Sequence, residues 1–184
     1  THAHDDHVLG AKRFLAKGAK LIAQANVAAA IDSVLGRAHE TTPAEKGGEA
    51  PTIEVTGLYN LGKGAGAAQI VHLGHRAHTK GDLIVYLPKE KILFAGDVVS
   101  YRSVPWMLDP GMSVTGWQAS VDSLMTSRFD ADSLVPGHGQ IGPRIMAAGW
   151  MKRYLYDSWE KARTVASGAL RRSASRTGAI WAPT

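Results

Sequence analysis

Hydrophobic and polar positions alternate in three different ways along the chain. Residues 1–10 (THAHDDHVLG) are polar and histidine-rich before turning apolar. Residues 11–23 carry helical spacing early and a short strand-like run at Leu21-Ile22. Over 25–37, Val27, Ile31, Val34 and Leu35 recur on one helical face, with Gly36 as a stop. Residues 38–51 are loop by composition. From Pro51 the period shortens to two, which predicts strands over 52–60 and 68–73 joined by the glycine-rich LGKGAG. Residues 83–88 and 91–97 flank Lys89-Glu90 with β-branched and aromatic residues and predict a hairpin. An irregular loop follows at 101–112, carrying Tyr101, Trp106 and Met107. Helical spacing returns over 113–127, where Trp117, Val121, Leu124 and Met125 share a face and Ser113 or Thr115 can cap. A short strand ending in a turn is predicted at 132–139, and a helix at 144–170 before a tail. Helices flanking a β-rich middle imply helices packed on sheets, in one domain over 1–184.

Composition narrows the chemistry. The 184 residues, 45% hydrophobic, suffice for one sizeable core. The absence of cysteine excludes disulfides, thiolate metal sites and cysteine nucleophiles. No apolar run is long enough to span a bilayer as a helix. The net charge of +5 comes from scattered basic residues, with one cluster at Arg171, Arg172 and Arg176. That pattern reads as a solvated surface, so neither a nucleic-acid nor a membrane partner is expected, and a small-molecule substrate is.

His2-Ala3-His4-Asp5-Asp6-His7 puts three imidazoles and two carboxylates in six residues. Imidazole nitrogen and carboxylate oxygen are ligands for zinc and similar ions. One short loop cannot aim all of them at one ion: His2 and His4 can point together, while Asp6 and His7 diverge. Two ions on one loop are therefore expected. Further ligands stand near strand ends: His78 before strand 83–88, Asp97 after strand 91–96, and His138 in PGHG. These give His2, His4 and His78 around one ion and Asp6, His7 and His138 around the other, with Asp97 able to bridge through its two oxygens.

HAHDDH resembles the HxHxDH signature of the metallo-β-lactamase superfamily; AHTKGD is similar to its second ligand motif, FAGD to its bridging aspartate and PGHG to its last histidine. The resemblance runs from Thr1 to about Gly142. It implies an α/β (α+β) fold, an αββα sandwich with metals at one edge between the sheets. It also implies two zinc ions (iron or manganese being alternatives) and a metal-bridging hydroxide as nucleophile. Asp6 and Asp97 are the expected catalytic carboxylates, and Thr79 and Asp82 would orient ligands. Ester, amide, lactam, lactone, thioester or phosphodiester cleavage would fit. Family members acting as β-lactamases usually carry Cys or Ser where Asp97 stands. Glyoxalase II-like members use an aspartate but read GHTxGH at the second motif, where this chain has AHTKGD.

The family places several strands ahead of HxHxDH, whereas here the motif begins at the second residue. The chain is therefore expected to be the C-terminal portion of the full fold, with an open sheet edge that a homodimer would cover. Two other functions compete: a mononuclear iron enzyme of the persulfide dioxygenase type, and an inactive fragment serving as a binding or assembly module. Retention of Asp6, His7 and His138 argues against the first; the intact ligand set argues against the second, while the missing front half argues for impaired activity. His75 competes with His78, though the motif register favours His78. His39 reads as solvated, His72 as a strand residue, Gly62–Gly66 as a hairpin turn rather than a phosphate loop, and Asp5 as a non-ligand. Trp106 and Met107 are expected to border the site, and Trp117 to pack in the core.

Overall fold

The computed structural model describes residues 1–37, 52–64 and 66–177. His39 lies outside these residues, and the side chains of Arg171, Arg172 and Arg176 lie outside the described ones. In chain order the elements are α1 (Asp5–Val8), α2 (Ala11–Leu15), β1 (Leu21–Gln24), a 3-10 turn (Ala25–Val27), α3 (Ala28–Arg37), β2 (Thr52–Val55), β3 (Leu58–Leu61), β4 (Ala68–His72), β5 (Leu83–Leu87), β6 (Ile92–Tyr101), α4 (Val114–Met125), β7 (Ser133–Gly139), β8 (Gly142–Pro143) and α5 (Arg144–Thr177). β1 and β2 pair in parallel, and the other strands form a sheet in the order β3-β4-β5-β6-β7-β8. Within it β6 and β7 run parallel and every other neighbouring pair is antiparallel.

Side-chain alternation explains the layers. Along β4 and β5, Val71, Ile84 and Tyr86 enter the large core that α4 and α5 complete through Trp117, Val121, Leu124, Ala147, Ala148, Met151 and Leu155. Their neighbours Ile70, Leu83 and Val85 point the other way and pack with Ile22, Ile53 and Val55 of the small parallel pair. Beyond that pair, Val27, Ile31, Val34 and Leu35 bury the apolar face of α3 with Val8 of α1 and Ala23 of β1. The result is helix, sheet, sheet, helix: an αββα sandwich. Trp117 is fully buried, and its indole nitrogen donates to the Val98 carbonyl at 2.9 Å. Ser113 caps α4 by accepting from the Gly116 amide at 3.2 Å.

Several boundaries differ from the sequence reading. The run 52–60 is two strands in two different sheets, broken at Thr56-Gly57. Periodicity registers alternation but not which sheet a strand joins. Gly36 does not stop its helix, which continues to Arg37. β6 extends well past residue 97, so Asp97 stands inside the strand, and β7 likewise includes His138. Both residues escape ordinary strand placement because the β6–β7 register shifts between Phe94 and Gly96 and again between Gly96 and Ser100. The HxHxDH loop contains one helical turn, α1, which the polar composition masks.

Candidate metal centre

Each candidate ligand is placed by local backbone. Ahead of it, the Leu83 amide of β5 donates to the Thr1 carbonyl at 2.8 Å, fixing the approach to His2 and His4. α1 then turns Asp6 and His7 to the other side, with Val8 in the core as its anchor. His78 sits in the β4–β5 connection. There the Thr79 amide and hydroxyl both donate to Asp82, each at 2.8 Å, and the Ala77 amide donates to the Thr79 carbonyl at 3.0 Å. Thr79 and Asp82 thus hold the loop that presents His78, and their described hydrogen bonds are to one another and to the loop rather than to a ligand ring. Asp97 follows the left-handed Gly96 (φ 51°) at the bulge of β6. His138 lies opposite Ser100, and at its neighbour Gly137 any Cβ would collide with Asp97 Oδ1.

These elements bring all seven residues together in two groups. His2, His4, His78 and Asp97 each offer one ligand atom to the first, and Asp6, His7 and His138 to the second; within each group the atoms lie within 4.8 Å of one another. In the first, His2 Nε2 is 2.9 Å and His78 Nε2 3.0 Å from His4 Nδ1. In the second, Asp6 Oδ2 is 3.3 Å from His7 Nε2 and 3.2 Å from His138 Nε2. Asp97 touches both: Oδ2 is 3.3 Å from His78 Nε2 and 3.4 Å from His138 Nε2, and Oδ1 is 3.1 Å from His7 Nε2. The first group is largely buried, while Asp6 and His138 are exposed, so the second opens to solvent.

Burial outweighs the nearby carboxylate in setting the electrostatics of His2 and His78. Desolvation lowers His2 to about 2, with only partial opposition from Asp97. It also lowers His78. Burial works against ionisation of Asp97, but the close approach of His7 Nε2, 3.1 Å from Oδ1, and the nearby imidazoles prevail and bring it down to about 2. The same close approach raises His7. Asp82 is raised by burial, against the two hydrogen bonds from Thr79. For His2 and His78, a neutral imidazole near an ionised Asp97 is the protonation state that metal ligation requires.

The donor set fits a cation. His4 Nε2 donates to Asp109 Oδ2 at 3.0 Å, so its Nδ1 carries a lone pair toward the cluster. Two further ring nitrogens crowd that one lone pair, and both cannot donate to it. In the second group, His7 Nε2 and Asp97 Oδ1 are buried without a hydrogen bond of proper geometry, although they lie close together. Unsatisfied donor atoms converging on a common point are costly unless a positive charge occupies it. Nitrogen and oxygen donors in these numbers suit zinc, iron or manganese.

The structure leaves other sequence candidates outside the groups. His75 is exposed, and His72 Nδ1 donates to the Asp82 carbonyl at 3.0 Å. Gly62 and Gly64 have positive φ at the β3–β4 turn, which is a hairpin. Tyr101 and Trp117 are core residues and Met107 packs against the core, whereas half-exposed Trp106 stands edge-on to His4, ring centroids 4.9 Å apart. Sequence reasoning missed Asp109. Its one local signal is the Asp-Pro-Gly turn, in which Asp109 Oδ1 accepts from the Gly111 amide at 2.6 Å.

A profile of the metallo-beta-lactamase superfamily matches residues 1–138, all seven candidate ligands included. The chain belongs to this superfamily. Among its relatives in the superfamily, a metallo-beta-lactamase type 2 of Bacillus cereus is 27% identical over 145 residues, covering 78% of this chain and 52% of the relative. Another, from Bacillus sp. (strain 170), is 25% identical over 78% of this chain and 51% of its own length. The chain therefore spans about half the length of the curated relatives it matches. Solved structures of the superfamily share the fold. A metallo-beta-lactamase from Pontibacter korlensis has TM-score 0.64 at 22% identity, covering 85% of this chain and 66% of that one. The metallo-beta-lactamase DIM-1 has TM-score 0.66 at 24% identity, covering 86% and 67%.

Proposed function

We propose that the chain is a zinc-dependent hydrolase of carbonyl compounds, with an ester, amide, lactam, lactone or thioester as substrate and two ions per site. Superfamily membership and the histidine–aspartate cluster support a metallohydrolase. The observation that carries the two-ion reading is Asp97, whose Oδ2 lies 3.3 Å from His78 and 3.4 Å from His138, one residue from each donor group. His2, His4 and His78 would hold one ion, Asp6, His7 and His138 the other, and Asp97 both. Bound there, the ions would supply hydroxide near neutral pH and draw electron density from a carbonyl oxygen.

The chain's own residues supply the rest. Asp97, ionised and buried, keeps the two halves of the site in register. Asp6 lies at the open side, where substrate arrives, and orients His7 and His138 through Oδ2. His4 is set by Asp109 to face inward through Nδ1. A mononuclear iron enzyme would need only part of this set, and the second donor group of Asp6, His7 and His138 counts against it.

The test begins with metal content per chain, by mass spectrometry after zinc equilibration and desalting. About two ions are expected, since the seven ligands suffice for two sites. Hydrolysis of a panel of lactams, lactones, thioesters and esters should then fall to background in both His4→Ala and Asp97→Ala. A metal content near zero, or activity indifferent to both substitutions, would overturn the proposal.

A further inference from the structure

The loop between β6 and α4 has no regular secondary structure over residues 104–108, and burial alternates along it. Pro105 is buried and Met107 packs against the core, so Val104, Trp106 and Leu108 face outward, 75%, 50% and 76% exposed. The outward side is located by Trp106, whose ring meets His4 at 4.9 Å and His78 at 6.1 Å between centroids. Trp106 therefore stands beside the first donor group, and Val104 and Leu108, two residues to either side of it, are exposed on the same loop.

The loop is built as a wall. Asp109 joins it to His4, the Ser113 amide donates to the Ala77 carbonyl at 3.1 Å, and Arg76 Nε donates to the Gly111 carbonyl at 2.8 Å. At its other end Arg102 is committed to Gln140 at 3.2 Å and lies over the Tyr101 ring. No charged residue occurs between Arg102 and Asp109, and the nearer of the two to the donor group is the carboxylate. Exposed apolar surface held rigid beside a reactive centre is a binding surface, because burying it against a ligand releases water at little ordering cost.

Resting on the hydrolase reading above, we infer that the site takes an uncharged acyl compound, and that Val104, Trp106 and Leu108 receive its hydrocarbon portion. The acyl carbon then lies beside the donor groups and the chain runs along the loop. In the reaction, water's oxygen bonds to the acyl carbon as the acyl–heteroatom bond breaks. The leaving group takes a proton from that water, giving a carboxylic acid and an alcohol, thiol or amine.

The test uses the zinc-loaded full chain and p-nitrophenyl esters from acetyl to hexanoyl, with the hemisuccinyl ester as the anionic counterpart. The expected kcat/KM rises about two- to threefold per methylene, somewhat below full burial of each group, because the wall is one-sided. The hemisuccinyl ester should gain nothing over acetyl. In the double variant Val104→Ser, Leu108→Ser the rise should flatten. A flat series in the unsubstituted protein, preference for the anionic ester, or an unchanged slope in the double variant would overturn the inference while leaving the hydrolase reading intact. If no ester is cleaved, the wider substrate panel decides the hydrolase reading, and saturation-transfer NMR on the metal-free protein decides the surface. 2-Nonanone should receive saturation, lose it in the double variant, and outcompete 4-oxopentanoate; the reverse order, or no transfer, would dismiss the apolar surface.

Discussion

At the scale of the residue, the least expected finding is the pairing of His4 with Asp109, which are 105 positions apart. A histidine that ligates through Nδ1 needs its Nε2 proton held elsewhere, and Asp109 does this at 3.0 Å. The aspartate is itself fixed by the Gly111 amide. Asp109→Ala should lower metal affinity by about 10- to 100-fold, whereas Asp109→Asn, whose carbonyl oxygen can still accept from His4, should retain most of it. A competition titration against a chromophoric chelator would read both; equal affinity in the alanine variant would dismiss the role. His2, His4, Asp6 and His7 were legible because histidine and aspartate at such density have few uses other than metal chemistry, and His78, Asp97 and His138 because they stand near strand ends in recognisable motifs. Asp109 was not, because a lone acid in a turn resembles any capping residue until the fold brings His4 to it.

At the scale of the element, the bulge in β6 is what sets Asp97 between the two donor groups. A regular strand would send alternate side chains to opposite faces with no freedom to re-aim one. The neighbouring strand has to make room. At Gly137 of β7 an added Cβ would collide with Asp97 Oδ1 and come within 2.8 Å of the Gly96 carbonyl carbon and 2.9 Å of the Asp97 amide nitrogen. Backbone atoms cannot swing aside, so Gly137→Ala should cost about 1–3 kcal/mol and displace Asp97. The comparison is Gly149 of α5, where the nearest contact is the flexible end of Met125 at 3.9 Å; Gly149→Ala should be neutral or stabilising by up to about 1 kcal/mol. Denaturation midpoints of the two variants would check the contrast. The apolar spacing of α3 and α4 and the β5–β6 hairpin were readable from the chain, since each is a local period. The break at Thr56-Gly57 was not, because the residues on both sides favour strand and only packing assigns them to different sheets.

At the scale of the molecule, the buried histidines tie stability to pH. His2 and His78 hold protons more weakly than the ordinary value of 6.5, so the unfolded chain binds more protons and the fold loses stability as pH falls below that value. Asp97, brought down to about 2, adds a loss in the same direction at lower pH, below the ordinary 3.8. His7 is raised and acts in the opposite sense, contributing stability below 6.5 that disappears as pH rises through its folded value. Asp82, raised by burial, also acts in that opposite sense, but the deep depression of His2, to about 2, joined by His78, sets the sign, so the melting temperature of the metal-free protein should fall between pH 7 and pH 5. Thermal scans in chelator would show it, and a flat or rising melting temperature would contradict the assignment. On this scale, among the described residues, the six-stranded sheet ends at β3, which pairs with β4 and exposes Leu58 and Leu61.

The sequence by itself determined the superfamily, the candidate ligands and the segments that carry them, because these rest on residue chemistry at short fixed spacing. It also determined the helix faces and one hairpin, because amphipathic period is a local property. Tertiary structure alone decided which nitrogen of His4 faces inward, how the β6 bulge lets Asp97 reach both groups, and that of Trp106 and Met107 it is Trp106 that meets the site while Met107 packs against the core. Those are distances between residues tens of positions apart, and they are set by how the two sheets stack and where their strands depart from regular register.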